Sequence, residues 1–210
     1  MDNKYLRLAR EARTENNSED AKKFYEMVKI DNPENGEAKF FYAFYCLYEG
    51  KNSEIATRFV NLCMTLEKSV KKVAESNDSD DEKLAIIEAI ADSFIPETWN
   101  LNRYMNNLTV GSGNDRQRVL SNNDIISVCK NGMQGCYDLG DAIEKFFAGN
   151  DKAMLVAVRC WKEGVSLQQK WYAYGDKTAP ERYTLKIKKY DFSYEMPKKA
   201  RCISFANKKN

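Results

Sequence analysis

The sequence predicts an all-α fold built from antiparallel helical hairpins. Apolar residues recur at three-and-four spacing in one segment after another, the period of helices that bury one face. Short turns rich in Asn, Gly and Pro separate those segments. The composition allows a packed core: of 210 residues, 43% are hydrophobic and 30% charged, far from the hydrophobic-poor balance of disordered chains.

The first helix is predicted from Asn3 to Glu15, with Tyr5, Leu8, Ala9 and Ala12 on one face, and Asn16, Asn17 and Ser18 interrupt it. Ser18 is placed to cap a second helix, whose apolar face is Ala21, Phe24, Tyr25 and Val28. Asp31, Asn32 and Pro33 stop it, because proline disfavours helical geometry in the residue before it. A third helix is expected over Glu34 to Tyr48. Its second half is aromatic. Glu49 to Asn52 then turns the chain into a long fourth helix from near Ser53 to about Ala74, carrying Ile55, Phe59, Leu62, Leu66 and Val70.

The acidic stretch Glu75 to Glu82 reads as a solvated linker and helix cap, since it lacks the spacing and glycine of a calcium loop. Helices follow over 81–94 and 96–107, with Pro96 in a first helical turn. Residues 108–121 read as a flexible loop. Its Gly111-Ser112-Gly113 is not read as a phosphate loop, because no strand is predicted before it. Asn123 or Asp124 caps a further long helix through Ile125, Cys129, Met133, Cys136, Ile143 and Phe147. Gly132, Gly135 and Gly140 within it mark close helix contacts or a break. After the turn Ala148-Gly149-Asn150, a helix over 151–174 aligns Leu155, Val158, Trp161, Val165 and Tyr172 and pairs with its predecessor. One short helix over 178–190 ends the helical part.

Residues 2–35 resemble the tetratricopeptide repeat, a helical hairpin of about 34 residues. Tyr5, Leu8, Ala9, Ala12, Ala21, Tyr25, Val28 and Pro33 occupy its signature positions in order, with Ala12 where an aromatic is usual. A second copy holds Tyr42, Ala43, Ile55, Phe59 and Leu62, but departs at Lys39, Ile55 and Glu67. The resemblance covers about a third of the chain and implies a right-handed superhelix over residues 1–75; the residue pattern itself adds further helices over 76–190 packed on it and a basic tail over 191–210, extended or disordered. It also implies that the first helix of each hairpin lines a groove. Leu6, Arg10 and Arg13 would come from the first repeat and Phe40, Phe44 and Tyr48 from the second, making an aromatic groove with a basic edge. Such a surface suits a peptide or a helix, with Arg pairing its carboxylates. The alternative is that later helices bury Phe40 and Phe44.

The chain contains no histidine. That removes the commonest general base, histidine-dependent nucleophiles and nearly every catalytic zinc set. Cysteines 46, 63, 129, 136, 160 and 202 form no C-x-x-C and read as packed thiols. No metal, cofactor or catalytic residue is expected. The N-terminus shows no signal-peptide pattern, and the longest apolar run, Phe40 to Tyr48, is nine residues, well short of the roughly 20 of a membrane span. A cytoplasmic location is expected. Net charge is +2, but residues 176–210 carry +6 and the remainder −4. The sequence therefore points to a non-enzymatic protein-protein interaction scaffold with a protein or peptide partner. The second reading is a contact with nucleic acid or an acidic surface through the tail, where Tyr183, Tyr190, Phe192 and Tyr194 interleave with lysines. A tail whose aromatics pack on the helical body is the plainer account of the same residues.

Overall fold

The computed structural model describes residues 4–107, 109–110, 117–118, 121–171 and 174–199. Among them the chain forms eight α-helices packed against one another: α1 (Lys4–Thr14), α2 (Ser18–Asp31), α3 (Gly36–Tyr45), α4 (Ile55–Ala74), α5 (Asp80–Asn107), α6 (Asn122–Phe146), α7 (Asp151–Lys170) and α8 (Ala179–Ile187). The fold is all-α. None of these helices is long and apolar enough to cross a membrane.

Local chemistry sets the boundaries. Asn17, one residue before the expected cap, accepts the Asp20 amide and starts α2, while Asn16 takes a left-handed turn (φ 57°) that asparagine tolerates. Asn35 accepts the Ala38 amide at 2.8 Å, so α3 begins at Gly36 rather than Glu34. Ser79 and Glu82 bond each other's backbone amides ahead of α5, and Ser121 with Asp124 does the same ahead of α6. These are capping boxes, and each satisfies amides the first turn leaves open. Gly149 (φ 88°) allows the tight reversal into α7, capped by Asn150.

Consecutive helices α1 to α4 pack in turn, α4 lies against α6, α6 pairs with α7, and α8 lies on α7. One hydrophobic core runs from Ala9 to Ile187. Glycines set its tightest crossings. A Cβ on Gly132 would meet Thr98 at 2.5 Å, one on Gly135 would meet Phe94 at 2.6 Å, and one on Gly164 would meet Tyr137 at 2.5 Å. The α6 glycines are therefore contacts and not a break.

Three expectations are corrected. Pro96 does not divide two helices: α5 runs through it. A proline inside a helix costs about 3 kcal/mol, but Phe94 and Ile95 before it and Leu101 after it are buried, and burying side chains of that size stabilises by about 1.5–3 kcal/mol each. Packing on both sides outweighs the lost amide. Secondly, a two-residue strand, β1 (Thr109–Val110), pairs antiparallel with β2 (Gln117–Arg118) where a loop was expected. Gly111-Ser112-Gly113 lies outside the described residues. Thirdly, α7 ends at Lys170, not Tyr174, and Leu155 on it is exposed. With α5, α6 and α8 all packed on α7, its buried face is defined by Met154, Ala157, Trp161, Val165 and Gln168, and Leu155 falls on the remaining arc.

The tail was expected to be extended or disordered, or to pack its aromatics on the helical body. Residues 191–199 are not helical, yet they are tied to the body: Asp191 accepts Lys162 at 2.7 Å and Tyr194 is half-buried beside the same lysine. Residues 200–210 lie outside the described residues. The Lys162 ammonium and the Ser193 hydroxyl hold the Asp191 carboxyl down to about 2. Its folded value is depressed, so its contribution is present above the unfolded value of about 4 and is lost as pH falls towards 2. Near-UV circular dichroism is expected to change between about pH 4 and pH 2 more in the wild type than in Asp191→Asn, whose tail lacks that ion pair at every pH.

Candidate interaction face

Two arginines one turn apart on α1 face the start of α3. The Glu37 carboxylate, 1% exposed, sits between them on the first turn of α3. Arg10 donates to both its oxygens, from Nε at 2.9 Å and Nη2 at 2.6 Å to Oε2 and from Nε at 3.2 Å to Oε1. Arg13 Nη1 donates to Oε1 at 3.2 Å, and the Tyr25 hydroxyl of α2 donates to the same oxygen at 2.9 Å. Both carboxylate oxygens are thereby satisfied, which a buried charge requires. Burial and the Glu37 charge push the Tyr25 phenol far up. Arg13 also lies 4.4 Å above the Phe41 ring, which stacks on Tyr25 at 5.1 Å. This node ties α1, α2 and α3 together.

Beside the node lies a cleft of about 650 Å³ walled by α1 (Leu6, Arg10), the start of α3 (Gly36, Glu37), the end of α4 (Lys72, Val73) and residues 75–86 leading into α5. It is polar and carries both charges. Lys72 bridges Glu34 at 2.6 Å and Glu75 at 3.1 Å. Asp78 accepts the Ser76 hydroxyl, and Glu82 is held by Ser79. A shallower depression continues from Leu6 and Arg10 along α1 past Glu11 to Glu15.

The other end of α3 is aromatic. Tyr48, 52% exposed, donates its hydroxyl to Glu97 of α5 and meets Tyr104 edge-on, ring centroids 6.1 Å apart. Burial holds the Glu97 carboxyl above the usual carboxylate range, against the pull of the Tyr48 bond. Since the start of α5 borders the start of α3 and Glu97 borders Tyr48, the two helices run side by side in the same direction.

The six sequence-expected partner residues divide accordingly. Leu6 and Arg10 line the cleft. Arg10 and Arg13 are not a basic edge waiting for a partner's carboxylates, because Glu37 already takes both. Phe40 is 0% exposed and belongs to the core; Phe44, half-buried, stacks on it at 5.9 Å. Tyr48 alone of the three aromatics is open. Glu37 was missed because an acid on a helix's first turn reads as solvated. The available signal was Arg10 and Arg13 on one face, a pair that favours a nearby anion.

The five described cysteines are free thiols. Burial raises those of Cys63, Cys129, Cys136 and Cys160, to about 12 for Cys129 and Cys160, which leaves them protonated and weakly nucleophilic. Among the described residues no group of three or more Cys, Asp or Glu is arranged to hold a metal ion. No protein-family model, curated protein or solved structure matches the chain.

Proposed function

We propose that the chain is a non-enzymatic interaction scaffold that holds a peptide or a helix on the face formed by α1, α3 and α5, with tetratricopeptide-like hairpins at its N-terminus. The observation that carries this reading is the open polar cleft beside Arg10 and Glu37, in line with the exposed Tyr48 and Tyr104. A partner there meets rigid, already paired charges at one end and amphipathic rings at the other, a combination suited to anchoring a short segment. Support for the hairpin resemblance comes from Ala9, Ala12, Ala21, Tyr25 and Val28, signature positions that are all buried between successive helices.

Contact with nucleic acid through the tail draws less support. Tyr183, Lys186 and Tyr194 are engaged within the chain, and stacking on bases needs free ring faces.

The test is a selection of short random peptides against the full chain, followed by fluorescence anisotropy on variants. Arg10 is unsuited to mutation because it holds Glu37. Tyr48→Ala combined with Asp78→Lys changes one exposed and one half-buried position of the face instead. Selected peptides are expected to bind this variant at least about tenfold more weakly, a loss of about 1.4 kcal/mol. Unchanged affinity for every selected peptide would place binding elsewhere.

A further inference from the structure

A second face is already occupied, by the chain itself. On α6 and α7, Tyr137, Trp161, Asp141 and Glu144 form an aromatic floor with an acidic rim, and α8 lies on it. Tyr183 stacks flat on Tyr137, centroids 3.9 Å apart and planes within 4°, and donates its hydroxyl to Asp141 at 2.7 Å. Lys186, one turn on, bridges Asp141 at 2.7 Å and Glu144 at 2.5 Å while lying 4.3 Å above Trp161. Trp161 Nε1 donates to Asp141 as well, at 2.9 Å. Ile187 completes the buried row.

This is the contact pattern of a helix seated in a groove, and several features mark the helix as removable. The buried hydroxyls of Tyr137, Thr184 and Tyr194 have no hydrogen-bond partner among the described residues, and all three belong to this interface or the segment after it. Water would satisfy each of them on release, so their burial weakens the docked state. The latch residues Asp141, Glu144 and Lys186 are themselves partly exposed. The nine-residue α8 is too short to persist as an isolated helix, so release is coupled to its unfolding. Its outward side also exposes Leu185, and the following segment exposes Phe192 at 87%.

We propose that α8 is a displaceable internal ligand, and that the α6–α7 face accepts in its place a partner helix carrying Tyr, Lys three residues later and an aliphatic residue next. The tyrosine and lysine are recognised by Asp141 and Glu144, and the rings of Tyr137 and Trp161 receive the phenol and the ammonium stem. This site is separate from the α1–α3–α5 face and does not depend on it.

The probe is a labelled peptide of residues 176–197, added to the full chain and followed by anisotropy, alongside hydrogen exchange of the chain alone. Amides of α8 are expected to exchange at least about 100-fold faster than those of α6. The peptide is expected to bind full-length Tyr183→Ala and Lys186→Met chains at least about tenfold more tightly than wild type, because their own α8 competes less. A peptide carrying Lys186→Ala should lose that binding. Exchange of α8 at the rate of the α6 core, or equal peptide affinity for wild type and both weakened chains, overturns the proposal. The two variants guard against a failure of folding in one of them, since Lys186→Met leaves the Tyr137–Tyr183 stack intact.

Discussion

Glu37→Ala is expected to lower the unfolding free energy by about 3 kcal/mol, read as a fall in the urea midpoint without a change in slope. Surface ion pairs contribute at most about 1 kcal/mol, and the size expected here follows from burial. Glu37 is 1% exposed and accepts Arg10, Arg13 and Tyr25 at once. Removing it strands two guanidinium groups and a buried phenol hydroxyl together. The arginines are themselves about a quarter to a third exposed, so water recovers part of the loss and the effect stays at the lower end for a broken buried pair. Tyr25→Phe removes one donor to Glu37 and one acceptor for Arg13 but strands no buried charge, and should cost about 1 kcal/mol. A Glu37→Ala loss no larger than that of Tyr25→Phe would mean the node does not hold the first three helices together.

Gly140→Val is expected to cost a similar amount, about 3 kcal/mol, through overpacking. A Cβ at this position of α6 would run into the indole of Trp161 and come within 2.9 Å of the Ala157 carbonyl on α7. The first neighbour is a fully buried ring fixed by its bond to Asp141, and the second is backbone. Neither yields without moving α7. Replacing glycine inside a helix ordinarily stabilises by up to about 1 kcal/mol, so the sign of the change separates the two effects. Thermal unfolding of Gly140→Ala and Gly140→Val should show a graded loss, whereas a gain from either would place the α6–α7 crossing farther apart.

Spacing alone made the helices legible. Ile55, Phe59, Leu62, Leu66 and Val70 repeat so regularly that the fourth helix and its buried face follow directly, and all five are buried. Boundaries were less legible, because Asn17, Asn35 and Ser121 compete with equally plausible neighbours as caps. Pro96 misled for a stated reason: its local penalty is visible in the sequence, and the tertiary burial of Phe94, Ile95 and Leu101 that overrides it is not.

The candidate face was legible only in part. Repeat spacing brought Leu6, Arg10 and Tyr48 forward, and each lies on or beside the face. Phe40 was drawn to the same surface by the same spacing, but packing turned it inward. The charge of the face was read with the wrong emphasis, because whether Arg10 and Arg13 are open to a partner depends on Glu37, 24 and 27 residues away in the chain. The docking role of Asp141 was not legible for the same kind of reason. Its partners Trp161, Tyr183 and Lys186 come from two later helices.

The interaction reading is tested most directly by the hydrogen-exchange footprint of a selected peptide on the full chain. Protection is predicted in α1 from Leu6 to Thr14, at the start of α3 around Glu37, and over residues 75–86, with α6 and α7 unchanged. A peptide that binds tightly while leaving those three segments unprotected contradicts the assignment of α1, α3 and α5 as the binding face.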